Sequence, residues 1–297
     1  MSNLIATGFT VGSFDGEFDS VEADLHRVAD LGADAVELTL TSMDLIAGGR
    51  IIPGRARRLE ALTSKFNFRY TVHGLVSSNF MDPATCRYQL DAAKALAELC
   101  NSIGAGILVQ HCGNLRADQW HDRFDADKRE REALAELAEF CRPLGVLIAI
   151  ENIFTTEHGQ YRQTPVEVAE TIRAVNHPNL VGLIDFSHAY IESTYRGLDF
   201  FEQISAMAPV TGHLHVHDSF GRPLGFYRGF HPQENTAMGL GDLHMPLGWG
   251  DIDWDKIFTD LTFLPETVLM MEIGHRYRSE QAECLERARA LMALNNK

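Results

Sequence analysis

The sequence predicts an α/β chain folded as a single (β/α)8 TIM barrel, and three observations lead there. Short β-rich runs alternate with helix-period segments from end to end, as repeated βα units around a parallel sheet require. The length of 297 residues fits one barrel with insertions, since such barrels typically take about 250 residues. His73, His111, Glu151, Asp185, His215 and Glu272 each stand where a predicted strand gives way to a loop, and in a barrel those ends meet at one face.

Strands are expected at residues 4–9, 35–40, 69–73, 106–111, 146–151, 181–185, 212–217 and 267–272. The runs VLIAI before Glu151 and VLMM before Glu272 are continuous and apolar, as strands buried on both faces are. Helices are expected at 20–31, 54–66, 83–103, 125–144, 165–175, 198–206, 254–261 and 279–294. Asp82 and Thr164 each precede a proline, so a capping side chain and a preset first-turn φ mark two helix starts. Gly32, Gly104 and Gly145 close helices before the next strand. The connection after strand seven, residues 218–253, is the longest; its aromatic and histidine content favours a functional cover over a disordered segment.

Composition narrows the function. An apolar fraction of 45% with 23% charged residues is that of an ordinary globular protein. A formal charge of −15 disfavours nucleic acid as a partner, because binding by counterion release needs a basic face. Five cysteines without a CxxC pair read as free thiols in a reducing compartment. The start MSNLIATGF lacks the basic region of a signal peptide, and no apolar run approaches the ~20 residues of a membrane helix. A cytoplasmic protein without membrane contact is expected, with self-association into a homo-oligomer compatible with the fold.

The chemistry is expected at the strand ends. Glu151, Asp185, His215 and Glu272 close strands five to eight, and three carboxylates with one imidazole suit a divalent ion (Mn, Mg, Co or Zn) with positions left for substrate oxygens. A charge placed directly after a buried apolar strand must protonate or find a cation. In His213-Leu-His215-Val-His217, alternation turns the three imidazoles to one face; it does not say which of them meets the ion. His188 follows Asp185 at a strand end, and Asp242 and His244 share one turn of the long loop. Glu37, Glu157 and His158 are expected to play supporting parts.

GLIDFSHA, HLHVHDS, DLHMPLGWGDIDW and MMEIG together resemble the xylose isomerase-like TIM-barrel superfamily of sugar isomerases and epimerases, dehydratases and endonuclease IV-type repair enzymes. The resemblance implies a metal tetrad of Glu151, Asp185, His215 and Glu272, with His215 matched because it stands three before Asp218. His73, His111, His188, Asp242 and His244 match the positions that hold additional ions in the nuclease branch. Val76 stands where that branch carries a DNA-inserting tyrosine, and the loop after strand two is not basic.

The expected activity is therefore that of a metal-dependent isomerase or epimerase on a small sugar, keto-sugar or polyol. Glu151 and Glu272 would move a proton beside a carbonyl, with His188 holding a substrate oxygen. His73, His111, Arg222 and Arg228 are the expected substrate contacts, the arginines clamping any phosphate or carboxylate. Phe220, Phe226, Tyr227, Phe230 and Trp249 would exclude water. The alternatives are a multinuclear zinc phosphodiesterase acting on abasic DNA and a related sugar lyase or dehydratase.

Overall fold

A computed structural model describes residues 3–13, 15–224 and 231–297. Eight parallel strands close a barrel: β1 (Leu4–Gly12), β2 (Ala35–Thr39), β3 (Arg69–His73), β4 (Ile107–His111), β5 (Leu147–Glu151), β6 (Leu180–Asp185), β7 (Thr211–Val216) and β8 (Thr267–Met271). Each pairs with its sequence neighbour, and β8 returns to β1. The helices are α1 (Phe18–Asp30), α2 (Pro53–Thr63), α3 (Cys86–Ile103), α4 (Arg123–Cys141), α5 (Pro165–Val175), α6 (Phe186–Arg196), α7 (Phe200–Met207), α8 (Pro232–Met238), α9 (Trp254–Asp260) and α10 (Gln281–Asn295).

Strand alternation sorts the core into two. Outward residues such as Leu108, Ile148, Leu214 and Leu269 pack beneath the helices. Inward residues form a separate apolar plug of Ala35, Val109, Ala149, Leu183, Val268 and Met270 among others. Two residues further along the same inward face the chain turns from apolar to ionisable: Val109 leads to His111, Ala149 to Glu151, Leu183 to Asp185 and Met270 to Glu272. The plug fills the lower barrel, at about 1.5–3 kcal/mol per large side chain removed from water, and lifts the polar layer to the C-terminal rim.

α5 has the expected bounds, and other boundaries differ for local reasons. α5 starts at Pro165 with a full capping box: Glu167 N–H donates to Thr164 Oγ1 at 3.3 Å, and Thr164 N–H donates to Glu167 Oε2 at 2.9 Å. α3 begins at Cys86 rather than Pro83, because the Asp82 carboxylate captures the Ala84 N–H at 3.0 Å and holds a turn first. The segment after β6 was expected to turn and resume as a helix at 198, yet it enters α6 without a loop. Asp185 serves as N-cap, accepting from His188 N–H at 2.8 Å. The long connection contains α8 and is tied at its base by the Asp218 and Met245 bridge. No described helix is long and apolar enough to cross a membrane.

Candidate active site

His215 organises the centre of the barrel mouth. Its Nε2 lies 2.9 Å from Glu37 Oε1, and His213 Nε2 lies 2.7 Å from Glu37 Oε2, which also accepts from Thr71 Oγ1 at 2.9 Å. Burial opposes ionisation of Glu37, but His215 and His213 outweigh it and hold the carboxyl well below the usual range. An ionised carboxylate only accepts, so the His215 proton sits on Nε2. Nδ1, which has a lone pair only when the ring is neutral, faces Glu151 Oε1 at 3.5 Å and Glu272 Oε2 at 3.6 Å.

Those spacings suit a cation better than a hydrogen bond. Donors about 2.1 Å from a tetrahedral ion lie roughly 3.4 Å apart, whereas hydrogen bonds to nitrogen close to about 3 Å. His215 Nδ1 and Glu151 Oε2 are both buried without a hydrogen-bond partner, a costly state that an ion relieves. Burial also disfavours a charged His215, yet Glu272, Glu37 and Glu151 raise its pKa well above the ordinary value. The same balance raises His73 to about 9, mainly through Glu151. His111 is lowered, because burial wins there.

Two further groups flank this centre. His73 Nε2 and His111 Nε2 approach Glu151 Oε2 at 3.6 Å and 3.3 Å, and His73 Nδ1 is engaged by the Gly74 carbonyl at 3.1 Å. On the other side Asp242 gathers His244 Nε2 at 2.8 Å, His188 Nε2 at 3.3 Å and His217 Nε2 at 3.7 Å. The His217 and His244 rings stack at 4.2 Å. Burial opposes a charge on His244, but Asp242 lifts it to about 10. Asp185 spends Oδ1 on capping α6, while its Oδ2 lies 3.1 Å from His217 Nε2 and 3.7 Å from His188 Nδ1. His188 Nδ1 in turn lies 3.2 Å from Glu151 Oε1, which links Asp185 to the centre.

The structure thus brings together Glu151, His215 and Glu272 directly, with Asp185, His188, His73, His111, Asp242 and His244 around them. A cavity of about 360 Å³ opens over Glu151, Glu272, His188 and His73, within the range of small-ligand sites. A larger one of about 430 Å³, beside α3, contains no histidine. Arg222 is not brought in: it is exposed, and its Nη1 donates to the Met238 carbonyl at 2.8 Å. Arg228, Phe226, Tyr227 and Phe230 lie outside the described residues. Trp249 is half exposed and packs edge-on against Tyr277; Ile153, Phe154 and Val76 form the apolar wall instead.

Residues 25–293 match the family model described as a xylose isomerase-like TIM barrel. The chain belongs to that family. No curated protein sequence matches it. Among solved structures, a D-tagatose 3-epimerase-like protein is similar with a TM-score of 0.73 and 18% identity, over 97% of this chain and 98% of that one. The D-psicose 3-epimerase of Clostridium cellulolyticum H10, solved with D-tagatose, gives 0.69 and 15%, over 97% and 99%. An IolI protein with a bound zinc atom gives 0.68 and 18%, over 97% of each chain. At such identities the likeness establishes the fold.

Sequence reasoning missed how Glu37, His217 and Arg162 are used. Glu37 carried a weak signal, an acid inside an apolar strand. Arg162, on a two-residue strand, carried none.

Proposed function

We propose that the protein is a metal-dependent isomerase or epimerase of a small sugar or polyol. One observation carries the reading: the carboxylates of Glu151 and Glu272, from β5 and β8, converge on His215 Nδ1 at 3.5 Å and 3.6 Å and both line one cavity. Two acid–base groups addressing one substrate from different strands are what proton removal and return at a carbon require. Glu151, His215, Glu272 and Asp185 are the residues that would hold a divalent cation; bound, it supplies Lewis-acid polarisation of a carbonyl. Glu151 or Glu272 takes the proton beside that carbonyl and the other returns it. Glu37 keeps His215 in one tautomer, His188 offers a hydrogen bond at the cavity wall, and Ile153 and Phe154 exclude water.

A second reading rests on the additional donors. His73 and His111 at Glu151, and His188 and His244 at Asp242, suit further ions and hence phosphodiester hydrolysis at a multinuclear centre. The formal charge of −15 and the exposed Val76 weigh against a nucleic-acid substrate.

The test incubates metal-loaded protein with a panel of ketoses in D2O and follows deuterium at the carbon next to the carbonyl by NMR. Incorporation that falls at least ~10²-fold in Glu151→Gln and Glu272→Gln is expected. No incorporation with any ketose, together with three ions per chain and nicking of an abasic duplex, replaces the first reading with the second.

A further inference from the structure

Arg162 is the sole arginine or lysine among the described residues that line the cavity. It belongs to a short antiparallel ribbon in which Asn114–Leu115 pairs with Tyr161–Arg162 above the ends of β4 and β5. The ribbon is anchored: Arg196 Nη2 donates to the Arg162 carbonyl at 2.8 Å, and Arg196 Nε donates to Glu192 Oε1 at 2.8 Å. The guanidinium is anchored too, because Nη1 donates to the Cys112 carbonyl at 3.1 Å, one residue past His111. Its position is therefore fixed relative to the centre.

What the guanidinium lacks is an acceptor at Nε. Nε is buried without a hydrogen-bond partner, and leaving a donor of a charged group unsatisfied is costly. With Nη1 turned to Cys112, the edge left to meet a ligand is the one that contains Nε. A planar guanidinium edge matches two oxygens of a carboxylate or phosphate and gives a short, charge-assisted pair. A neutral hydroxyl offers one oxygen and no charge. Ile153, Phe154 and Thr156 line the same cavity, and the buried Glu130 carboxylate, which feels the Arg162 charge, already accepts from Gly113 N–H at 2.5 Å and Gln163 Nε2 at 2.6 Å.

We propose that the substrate carries an anionic group, a carboxylate or a phosphate, that docks on Arg162 while its carbon chain crosses Ile153 and Phe154 toward Glu151. This rests on the isomerase reading and narrows it from sugars in general to sugar acids or sugar phosphates. It also moves the anion clamp from the long loop after β7 to the ribbon above β4 and β5.

The experiment measures calorimetric binding of D-fructose, D-fructose 6-phosphate and 5-keto-D-gluconate to metal-loaded wild-type protein, Arg162→Met and Arg162→Lys, with metal content assayed in each. The phosphate or the carboxylate compound is expected to bind at least tenfold more tightly than fructose, and which one does so names the anion. The margin should vanish in Arg162→Met and return in part in Arg162→Lys, with metal content unchanged. Equal binding of neutral and anionic compounds, a margin that survives in Arg162→Met, or no binding of either anion overturns the inference. Deuterium exchange on neutral ketoses without an anionic preference would remove this inference and leave the isomerase standing; Arg162-dependent anion binding without exchange on any ketose would do the reverse.

Discussion

Replacing Glu37 by Gln tests the site at its least accessible point. The carboxylate now accepts three hydrogen bonds, from His215 Nε2 at 2.9 Å, His213 Nε2 at 2.7 Å and Thr71 Oγ1 at 2.9 Å. An amide of the same shape keeps one acceptor oxygen and presents an NH2 group in place of the other. If that NH2 faces His215, the imidazole must accept at Nε2 and carry its proton on Nδ1, the atom that looks toward Glu151 and Glu272. The lone pair available to a cation is then lost. Outer partners of ligating histidines typically carry 10–100-fold in metal affinity, so Glu37→Gln should weaken binding by about 1.4–2.8 kcal/mol. Competition against a chromophoric chelator measures this, with circular dichroism as the check on folding. Thr71→Val is the control, since it removes a bond to the same carboxylate, worth about 1.5–3 kcal/mol of stability, and leaves the His215 tautomer as it is. Metal affinity within twofold of wild type in a folded Glu37→Gln protein would refute the tautomer argument.

Metal-free protein should lose stability as the pH rises. His73 is raised to about 9 and His244 to about 10 from an ordinary 6.5; groups raised on folding contribute fully below their unfolded value and lose that contribution through the folded one. Urea midpoints should therefore fall between about pH 6.5 and pH 10, and loading with zinc should flatten the decline. Glu37 and Asp242 are lowered, so their contribution disappears instead as the pH falls through those lowered values. A saturating metal at 100 times its dissociation constant should add about 2.7 kcal/mol, read as a shift in the unfolding midpoint. Gly250→Ala should destabilise by roughly 1–3 kcal/mol in the same assay. A Cβ there meets the Ser219 carbonyl and the Asp218 carboxylate, and that carboxylate holds the base of the long loop through Gly248 N–H at 2.7 Å and Trp254 Nε1 at 3.3 Å.

The barrel was legible because its signal is periodic and repeated. VLIAI and VLMM announce strands buried on both faces, and the acid that follows each one marks where the interior turns polar. Period two gave the face shared by His213, His215 and His217 and could not give their depth. The structure resolves depth through partners: the first two meet Glu37 and the third meets Asp185. α6 escaped notice because a strand that enters a helix through its own N-cap leaves no loop residues to mark the change. The ribbon bearing Arg162 is two residues long per strand and has no period to read. Arg222 shows the complementary error. An arginine in a loop is a clamp only if its guanidinium leans inward, and this one turns to Met238.

The electrostatics of the mouth tie the two readings of its chemistry to one measurable quantity. Glu37, Glu151, Asp185, Asp242 and Glu272 place five carboxylates around one opening. Low-dielectric surroundings make such a set untenable unless positive charge accompanies it, and the raised His73, His188, His215 and His244 show which groups take up protons to supply it. A single divalent ion balances two of the five charges and leaves the Asp242 group protonated. Further ions at Asp242 and at His73 and His111 would displace those protons, because a histidine must be neutral to ligate. Proton release on metal loading therefore distinguishes a one-ion isomerase from a multinuclear hydrolase before any substrate is chosen. The two differ in whether His244, at about 10 without metal, still holds its proton at neutral pH once the metal is bound.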